Sequence, residues 1–116
     1  MLYFNNWIFV SSTGTAIREI AIGTRFHFEN YGGIIRAKIV GENILNGELI
    51  GMVNQLGQLE AIFNYCNSDS KHYSGTCSFT LEKIHNKRYK LHGLWVLAGD
   101  DTIENELVLE EQLYNI

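Results

Sequence analysis

The stretch TRFHFENYGGIIRAKIV, residues 24–40, decides the fold class of this chain. Apolar side chains alternate with polar or charged ones on both sides of the Gly32-Gly33 pair. Because successive side chains of a β-strand point to opposite faces of the sheet, this alternation predicts two half-buried strands. Two glycines between such runs are typical of a tight turn. The stretch therefore predicts an antiparallel β-hairpin.

The same pattern recurs along the rest of the chain. Breaks rich in Gly, Asn, Asp or Ser separate alternating segments, and no helical element lies between them. A parallel sheet would need crossovers of about a dozen residues, so the spacing favours an antiparallel meander. We predict one all-β domain over residues 1–116, an eight-stranded up-and-down barrel. The seven breaks are Ser12–Thr15, Tyr31–Gly33, Gly41–Asn43, Asn54–Gly57, Asn67–Lys71, His85–Lys87 and Ala98–Asp101.

Alternation also assigns each predicted strand an inward and an outward face. We predict that Trp7 and Phe9 belong to the first strand. The residues placed on inward faces are Thr24, Phe26, Phe28, Ile35, Ala37, Ile39, Leu45, Leu49, Val53, Leu59, Ala61, Phe63, Tyr65, Cys77, Phe79, Leu81, Leu91, Trp95 and Leu97. The apolar residues placed on outward faces are Ile34, Val40, Ile44, Ile50, Met52 and Ile62.

Two features of this pattern have more than one interpretation. Gly47, Gly51 and Gly93 fall on inward faces, where glycine permits sharp strand coiling, makes room for Trp95, or lets a ligand approach the backbone. The last segment, residues 103–116, fits a helical stripe nearly as well as a strand. We predict a strand over Glu104–Glu110, because a final strand can pair with the first and leave no open edge.

The composition excludes several classes of function. A net charge of -4 and a pI near 5.5 give no basic face of the kind that binds nucleic acid. No run approaches the roughly 18 apolar residues of a membrane-spanning helix, and the apolar start lacks the Lys or Arg of a secretory signal. We therefore expect a cytoplasmic protein with no nucleic-acid or membrane partner.

Few side chains suggest chemistry. The chain has no nucleophile elbow, phosphate-binding glycine loop or metal-ligand spacing, so we predict no catalytic residue, metal site or cofactor. Cys66 and Cys77 are either two reduced thiols or a bridge across a hairpin. A basic cluster is either a solvated hairpin turn or an anion site; it comprises Lys83, His85, Lys87, Arg88 and Lys90. The histidines expected on the surface are His27, His72, His85 and His92.

Several spaced motifs resemble those of a known family. They are Thr24-x-Phe26-x-Phe28, Gly41 followed by Ile44-x-x-Gly47-x-Leu49-Ile50-Gly51, Phe63-Asn64-Tyr65-Cys66-Asn67, Gly75-x-Cys77, Leu91-x-x-x-Trp95 and Glu110-Glu111. Over roughly residues 7 to 111 the chain resembles small bacterial proteins classed as avidin-like, which implies an eight-stranded meander barrel. Some members carry the name N-acetylglutamate synthase. Gly93 and Leu97 depart from the family pattern, which has a glutamate and a second tryptophan there.

Two hypotheses for function follow, and neither is enzymatic. A barrel of this size either fills with side chains or holds one small ligand. If it holds a small apolar or aromatic ligand, the predicted lining is Phe26, Phe28, Phe63, Tyr65 and Trp95. Alternatively these aromatics fill the core, and the outward apolar residues make the wall self-associate as a homo-oligomer. The sequence does not support the synthase name. An acetyltransferase of the usual kind binds a pyrophosphate through a glycine-rich turn before a helix, and the sequence has no such turn.

Overall fold

Eight antiparallel strands close into a barrel in the order in which they follow along the chain. The computed structural model describes residues 4–12, 19–99 and 104–112. The predicted meander is confirmed, and the only helical element in these ranges is a short 3-10 turn at His85–Lys87. The strands are β1 Trp7–Ser11, β2 Arg25–Tyr31, β3 Ile34–Val40, β4 Ile44–Val53, β5 Gln58–Asn67, β6 His72–Lys83, β7 Tyr89–Leu97 and β8 Glu104–Glu111.

The barrel closes between its first and last strands. β1 pairs with β8 through Phe9 opposite Glu111, Val10 opposite Glu110 and Ser11 opposite Leu109. The predicted final strand is therefore confirmed, and this pairing removes the open edge that a seven-strand meander would leave. Parts of the predicted breaks, residues 13–15 and 100–101, lie outside the described residues, as do the apolar positions 103, 113 and 116 of the helical alternative.

Asparagine side chains stabilise the turns between strands. Asn54 Oδ1 accepts hydrogen bonds from the backbone N–H groups of Leu56 at 2.9 Å and Gln58 at 3.0 Å. Asn67 Oδ1 does the same for Asp69 at 2.9 Å and Lys71 at 3.0 Å. This local bonding satisfies backbone donors that the strand ladder leaves free, which explains why β4 and β5 end where they do.

The Gly32-Gly33 pair adopts the backbone that the sequence predicted for it. Both residues have positive φ, 62° and 100°, a region that glycine enters without the steric cost other residues incur. The Gly33 N–H donates to Asn30 Oδ1 at 2.8 Å. Because two consecutive positive φ angles match the right-handed twist of the flanking strands, the turn sets the register of β2 against β3.

Inward-facing side chains of all eight strands form one apolar core, largely as the alternation predicted. Two inward assignments on β4 are wrong: Leu45 is 64% exposed and Val53 is 43% exposed. One outward assignment is also wrong, because Ile44 is buried. The cause is a register shift between Ile44 and Asn46, where an extra residue bulges from the ladder and reverses the faces. Val53 lies at the end of β4, beyond the core.

Two inward glycines allow neighbouring strands to approach closely. A Cβ placed on Gly93 would lie 1.7 Å from the Ser78 carbonyl oxygen, and one on Gly51 would lie 2.1 Å from the Glu60 carbonyl oxygen. Both obstacles are backbone atoms of the adjacent strand, which a side chain of any size would strike. This geometry favours the interpretation of these glycines as sites of sharp strand coiling.

Candidate functional site

The five aromatic residues predicted to line a ligand pocket meet inside the barrel. Phe26, Phe28, Phe63, Tyr65 and Trp95 are all buried. The rings of Phe63 and Trp95 stack with centroids 3.7 Å apart and planes 14° from parallel, and Phe26 meets Trp95 edge-on at 6.0 Å. These are the packing geometries that aromatic pairs prefer. The aromatic rings thus pack against one another, and none of them lines any of the four pockets described below.

Trp95 is the centre of this packing, and its indole nitrogen Nε1 is buried. Among the residues that the structure describes, this atom has no hydrogen-bond partner. The indole N–H therefore contributes nothing to offset its removal from water, and the ring contributes through its apolar area alone. Its backbone oxygen accepts a hydrogen bond of 3.5 Å from Asn105 Nδ2, which ties β7 to β8.

A buried polar cluster lies near one end of the barrel, and sequence patterning did not predict it. The Tyr65 hydroxyl donates to Glu19 Oε1 at 3.3 Å, and Asn67 Nδ2 donates to Glu19 Oε2 at 3.4 Å. Burial, with the nearby charge of Glu19, holds the pKa of Tyr65 well above its usual range. Glu19 lies 46 residues before Tyr65, in a segment without alternation, so no local pattern could have revealed the contact.

A groove of about 800 Å³ lies on the outside of the barrel. It crosses strands β4 to β7, and we call its outward-facing side chains the β4–β7 wall. Most of them are apolar, and the hydroxyls of Thr76 and Ser78 lie between them. The remaining members of the wall are Ile50, Met52, Glu60, Ile62, Leu94 and Val96.

Strand register makes the β4–β7 wall continuous. Ile50 on β4 lies directly opposite Ile62 on β5, and Ile62 lies opposite Thr76 on β6. Thr76 in turn lies opposite Val96 on β7. Side chains in such positions touch across neighbouring strands. Ile62 is 58% exposed and Met52 60%, so large apolar side chains that were predicted to face outward do so side by side.

Three smaller pockets lie elsewhere on the outside of the barrel. One of about 260 Å³ crosses β2 to β4 beside an ion pair, in which Arg36 Nη2 lies within 2.6 Å of Glu48 Oε1. Another of about 350 Å³ crosses β6 to β8, where His92 Nε2 lies 3.3 Å from Glu82 Oε2. The last, of about 220 Å³, lies beside Glu19 at the end of the barrel. All three contain charged side chains and lack the apolar lining of the β4–β7 groove.

The histidine predictions hold at three positions and fail at one. His72, His85 and His92 are exposed. His27 is half-buried, and its Nε2 has no hydrogen-bond partner within the described part of the chain. Burial, then the positive charges of Arg25 and Lys38, lower the pKa of His27. Alternation had placed His27 correctly on the outward face, but it does not report how far the neighbouring long side chains cover that face.

The structure decides between the two interpretations of the cysteines, and the anion-site interpretation of the basic cluster stays a prediction. Cys66 and Cys77 are both free, so the bridge between them is wrong. Register explains this, because Cys66 lies opposite His72 while Cys77 lies opposite Ala61. The basic cluster surrounds the turn between β6 and β7, as predicted for a hairpin. Arg88 Nη2 there donates to the Glu111 carbonyl oxygen at 2.9 Å.

The described residues contain neither a cluster of metal ligands nor a candidate membrane-spanning helix. Within residues 4–12, 19–99 and 104–112, no three His, Cys, Asp or Glu side chains are placed to hold a metal ion together. In the same ranges, no helix is long and apolar enough to cross a membrane.

Comparison with known proteins gives a family match. A family model described as avidin-like protein matches residues 2–112, nearly the whole chain. Neither the curated proteins nor the solved structures contain a match to this sequence.

Proposed function

The chain belongs to the avidin-like protein family, and from this premise we propose that it is a non-catalytic interaction protein that self-associates through the β4–β7 wall. The observation that carries the proposal is the groove of about 800 Å³, whose side chains are mostly apolar and lie outside the barrel. Contiguous exposed apolar surface on a folded protein marks a contact site, because leaving it in water is unfavourable.

The β4–β7 wall is of a size to form the centre of an interface with a second copy of the same chain. Its eight side chains form two rows across four adjacent strands and cover about 250 Å², given the usual spacing and rise of strands. A stable interface buries about 800 Å² on each partner, so the surface around the wall takes part in the contact as well. Oligomers of one chain usually close around a two-fold axis, which brings the same patch of both copies together.

The charge distribution supports the same partner. The chain has 13 acidic and 9 basic residues, yet Glu60 is the one charged side chain among the described residues that line the groove. Two copies with a net charge of -4 repel each other over most of their surfaces. Contact through the β4–β7 wall keeps most negative charges of one copy far from those of the other. Salt then screens the repulsion between them.

Sedimentation equilibrium tests the proposal. The wild-type protein should sediment as a dimer at about 100 μM, where an interface of micromolar affinity is filled. Ile62→Lys places a charge in the middle of the wall and should give a monomer. The matched control is Leu45→Lys, an equally exposed apolar residue of β4 at the bulge, outside the wall, which should remain dimeric. A wild-type protein that stays monomeric at this concentration contradicts the proposal.

A filled barrel interior is the second part of the proposal. The stacking of Phe63 on Trp95 at 3.7 Å supports it, because a ligand would have to displace one ring. In a Trp7→Phe variant, the emission of Trp95 should be blue-shifted and should not respond to small aromatic or heterocyclic compounds. A ligand-dependent shift with an unchanged circular dichroism spectrum would instead support binding inside the barrel.

We further propose that the chain has no acetyltransferase activity and works in the cytoplasm. The chain has two cysteines, too few for the disulfide framework of a small secreted domain, and this supports a reducing compartment. Incubation with acetyl-coenzyme A and glutamate should release no thiol above the blank, and sustained release would contradict the first statement. Fractionation of the source cells should recover the protein in the cytoplasmic fraction, and its recovery from the medium or from a membrane fraction would contradict the second.

A further inference from the structure

Glu60 has an unusual position in the β4–β7 wall. Its side chain is exposed on β5, directly opposite Met52 on β4 and Ser78 on β6. Among the described residues, it has no ion pair or side-chain hydrogen bond. In the single chain, water solvates this carboxylate. Within an interface it would be surrounded by the apolar groups that line the groove.

No nearby charge on the neighbouring strands compensates Glu60. Its two register partners, Met52 and Ser78, are uncharged. The other charged or titratable side chains on the outward faces of β4 and β6, none of them a register partner of Glu60, are Glu48, His72 and Glu82, with Lys83 exposed at the end of β6. A carboxylate that loses water without gaining a cation strongly disfavours the buried state, whereas a neutral carboxyl group does so far less.

We propose that Glu60 makes self-association through the β4–β7 wall dependent on pH, with the dimer tightening as the pH falls. The inference rests on the proposed function. Each Glu60 carboxylate binds one proton from solvent as the walls meet and becomes a neutral carboxyl group. Proton uptake on association means, by linkage, that acid stabilises the dimer. Glu60 therefore acts as a specificity-determining residue that weakens contact at neutral and alkaline pH.

Linkage sets the size of the effect. If each Glu60 takes up a full proton on association, each copy raises the association constant about tenfold when the pH falls by one unit. A symmetric dimer contains two such groups, so the limit is about a hundredfold per pH unit. The net charge of the chain also becomes less negative toward its pI near 5.5, so a matched control is required.

The experiment measures association constants by sedimentation equilibrium between about pH 8 and about pH 6. Three proteins are compared: the wild type, Glu60→Gln, and Glu42→Gln. Glu42 is exposed in the turn between β3 and β4, outside the wall, so its variant changes the net charge equally. We expect the wild type and Glu42→Gln to tighten at least tenfold over this range. Glu60→Gln should bind at least tenfold tighter than the wild type at pH 8 and change little with pH.

Each outcome separates the two proposals. If the wild type dimerises equally well at all pH values, or Glu60→Gln follows the wild-type curve, the role of Glu60 is wrong and the wall contact stands. If Glu60→Gln weakens the dimer, Glu60 pairs with a cation of the second copy, which also overturns the inference. If all three proteins stay monomeric at every pH, the proposed function itself fails.

Discussion

Trp95 packs against aromatic rings on two sides and has no exposed surface. Replacing it with alanine removes this apolar area and leaves a cavity that the closed barrel cannot collapse to fill. We expect Trp95→Ala to reduce the free energy of unfolding by about 3–5 kcal/mol, a large share of the roughly 5–15 kcal/mol of a typical domain. Urea unfolding followed by circular dichroism measures the loss.

Trp7→Ala serves as the comparison for Trp95. Trp7 is half-buried at the start of β1, where its ring stacks on Tyr89 with centroids 5.1 Å apart. Less of its surface leaves water on folding, so its truncation should cost clearly less. Equal losses for the two variants would show that the barrel centre is packed no better than its rim.

The two thiols should differ sharply in reactivity. Burial raises the pKa of the Cys77 thiol to about 12, so almost none of it is the reactive thiolate at pH 8. Cys66 is only half-buried at the end of β5. Iodoacetamide at pH 8 should therefore modify Cys66 in the folded protein, and Cys77 only after unfolding. Mass spectrometry of the peptides decides this, and rapid native labelling of Cys77 would contradict its burial.

His27 should make the stability of the chain depend on pH. Its pKa is lower in the folded state than the ordinary 6.5, mainly because of burial, so the unfolded chain binds protons more readily. The stability contribution is thus complete above about pH 6.5 and falls as the pH drops toward the folded value. His27→Gln should lose less stability than the wild type between pH 7.5 and pH 5.5, measured by urea unfolding. A His27→Gln variant that loses as much stability as the wild type over this range would contradict the role of His27.

At the scale of the strand, Gly93 is the position where substitution should be most harmful. A methyl group there would meet the Ser78 carbonyl oxygen at 1.7 Å, so β6 and β7 would have to separate. Gly93→Ala should cost about 3 kcal/mol, the upper end of the usual cost of overpacking. At Gly47 the nearest atoms are the Ile39 Cβ at 3.0 Å and the Tyr65 Cβ at 3.2 Å.

Gly47→Ala is therefore the matched control for Gly93→Ala. Side chains around Gly47 can shift by a few tenths of an ångström, so the cost should be about 1 kcal/mol. Chemical denaturation of both variants gives the comparison. If Gly47→Ala and Gly93→Ala reduce the free energy of unfolding equally, the close approach of β6 and β7 does not determine the effect of substituting Gly93.

The strands also show what alternation can and cannot predict. Period-two patterning correctly placed most inward residues, because every strand has one dry and one wet face. It failed at Ile44 and Leu45, two apolar neighbours where a bulge reverses the faces, because either could have been the inward residue. A bulge depends on hydrogen bonding to the neighbouring strand, which a single strand's sequence does not contain.

At the scale of the whole molecule, the candidate site illustrates the same limit. Ile50, Met52 and Ile62 were predicted to face outward, and they do. The groove arises only when register brings Leu94 and Val96 of β7 into the same wall, across β6. Register between strands depends on turn geometry and bulges along the entire chain. The individual faces were therefore predictable, and the assembled surface was not.

β1 and β8 pair over a short stretch, and this seam should be the part of the barrel that opens at the lowest force. The start of β1 and the end of β8 lie at the same end of the barrel, since Phe9 is opposite Glu111. Force applied at residues 5 and 112 would load the hydrogen bonds of this seam one pair at a time, as a zipper opens. Force applied at residues 5 and 98, at opposite ends, would load many bonds at once in shear. Optical-trap measurements should find a lower rupture force for the first pair of handles, and equal forces would contradict it. In a closed barrel with no free edge, the seam is thus where tension opens the sheet.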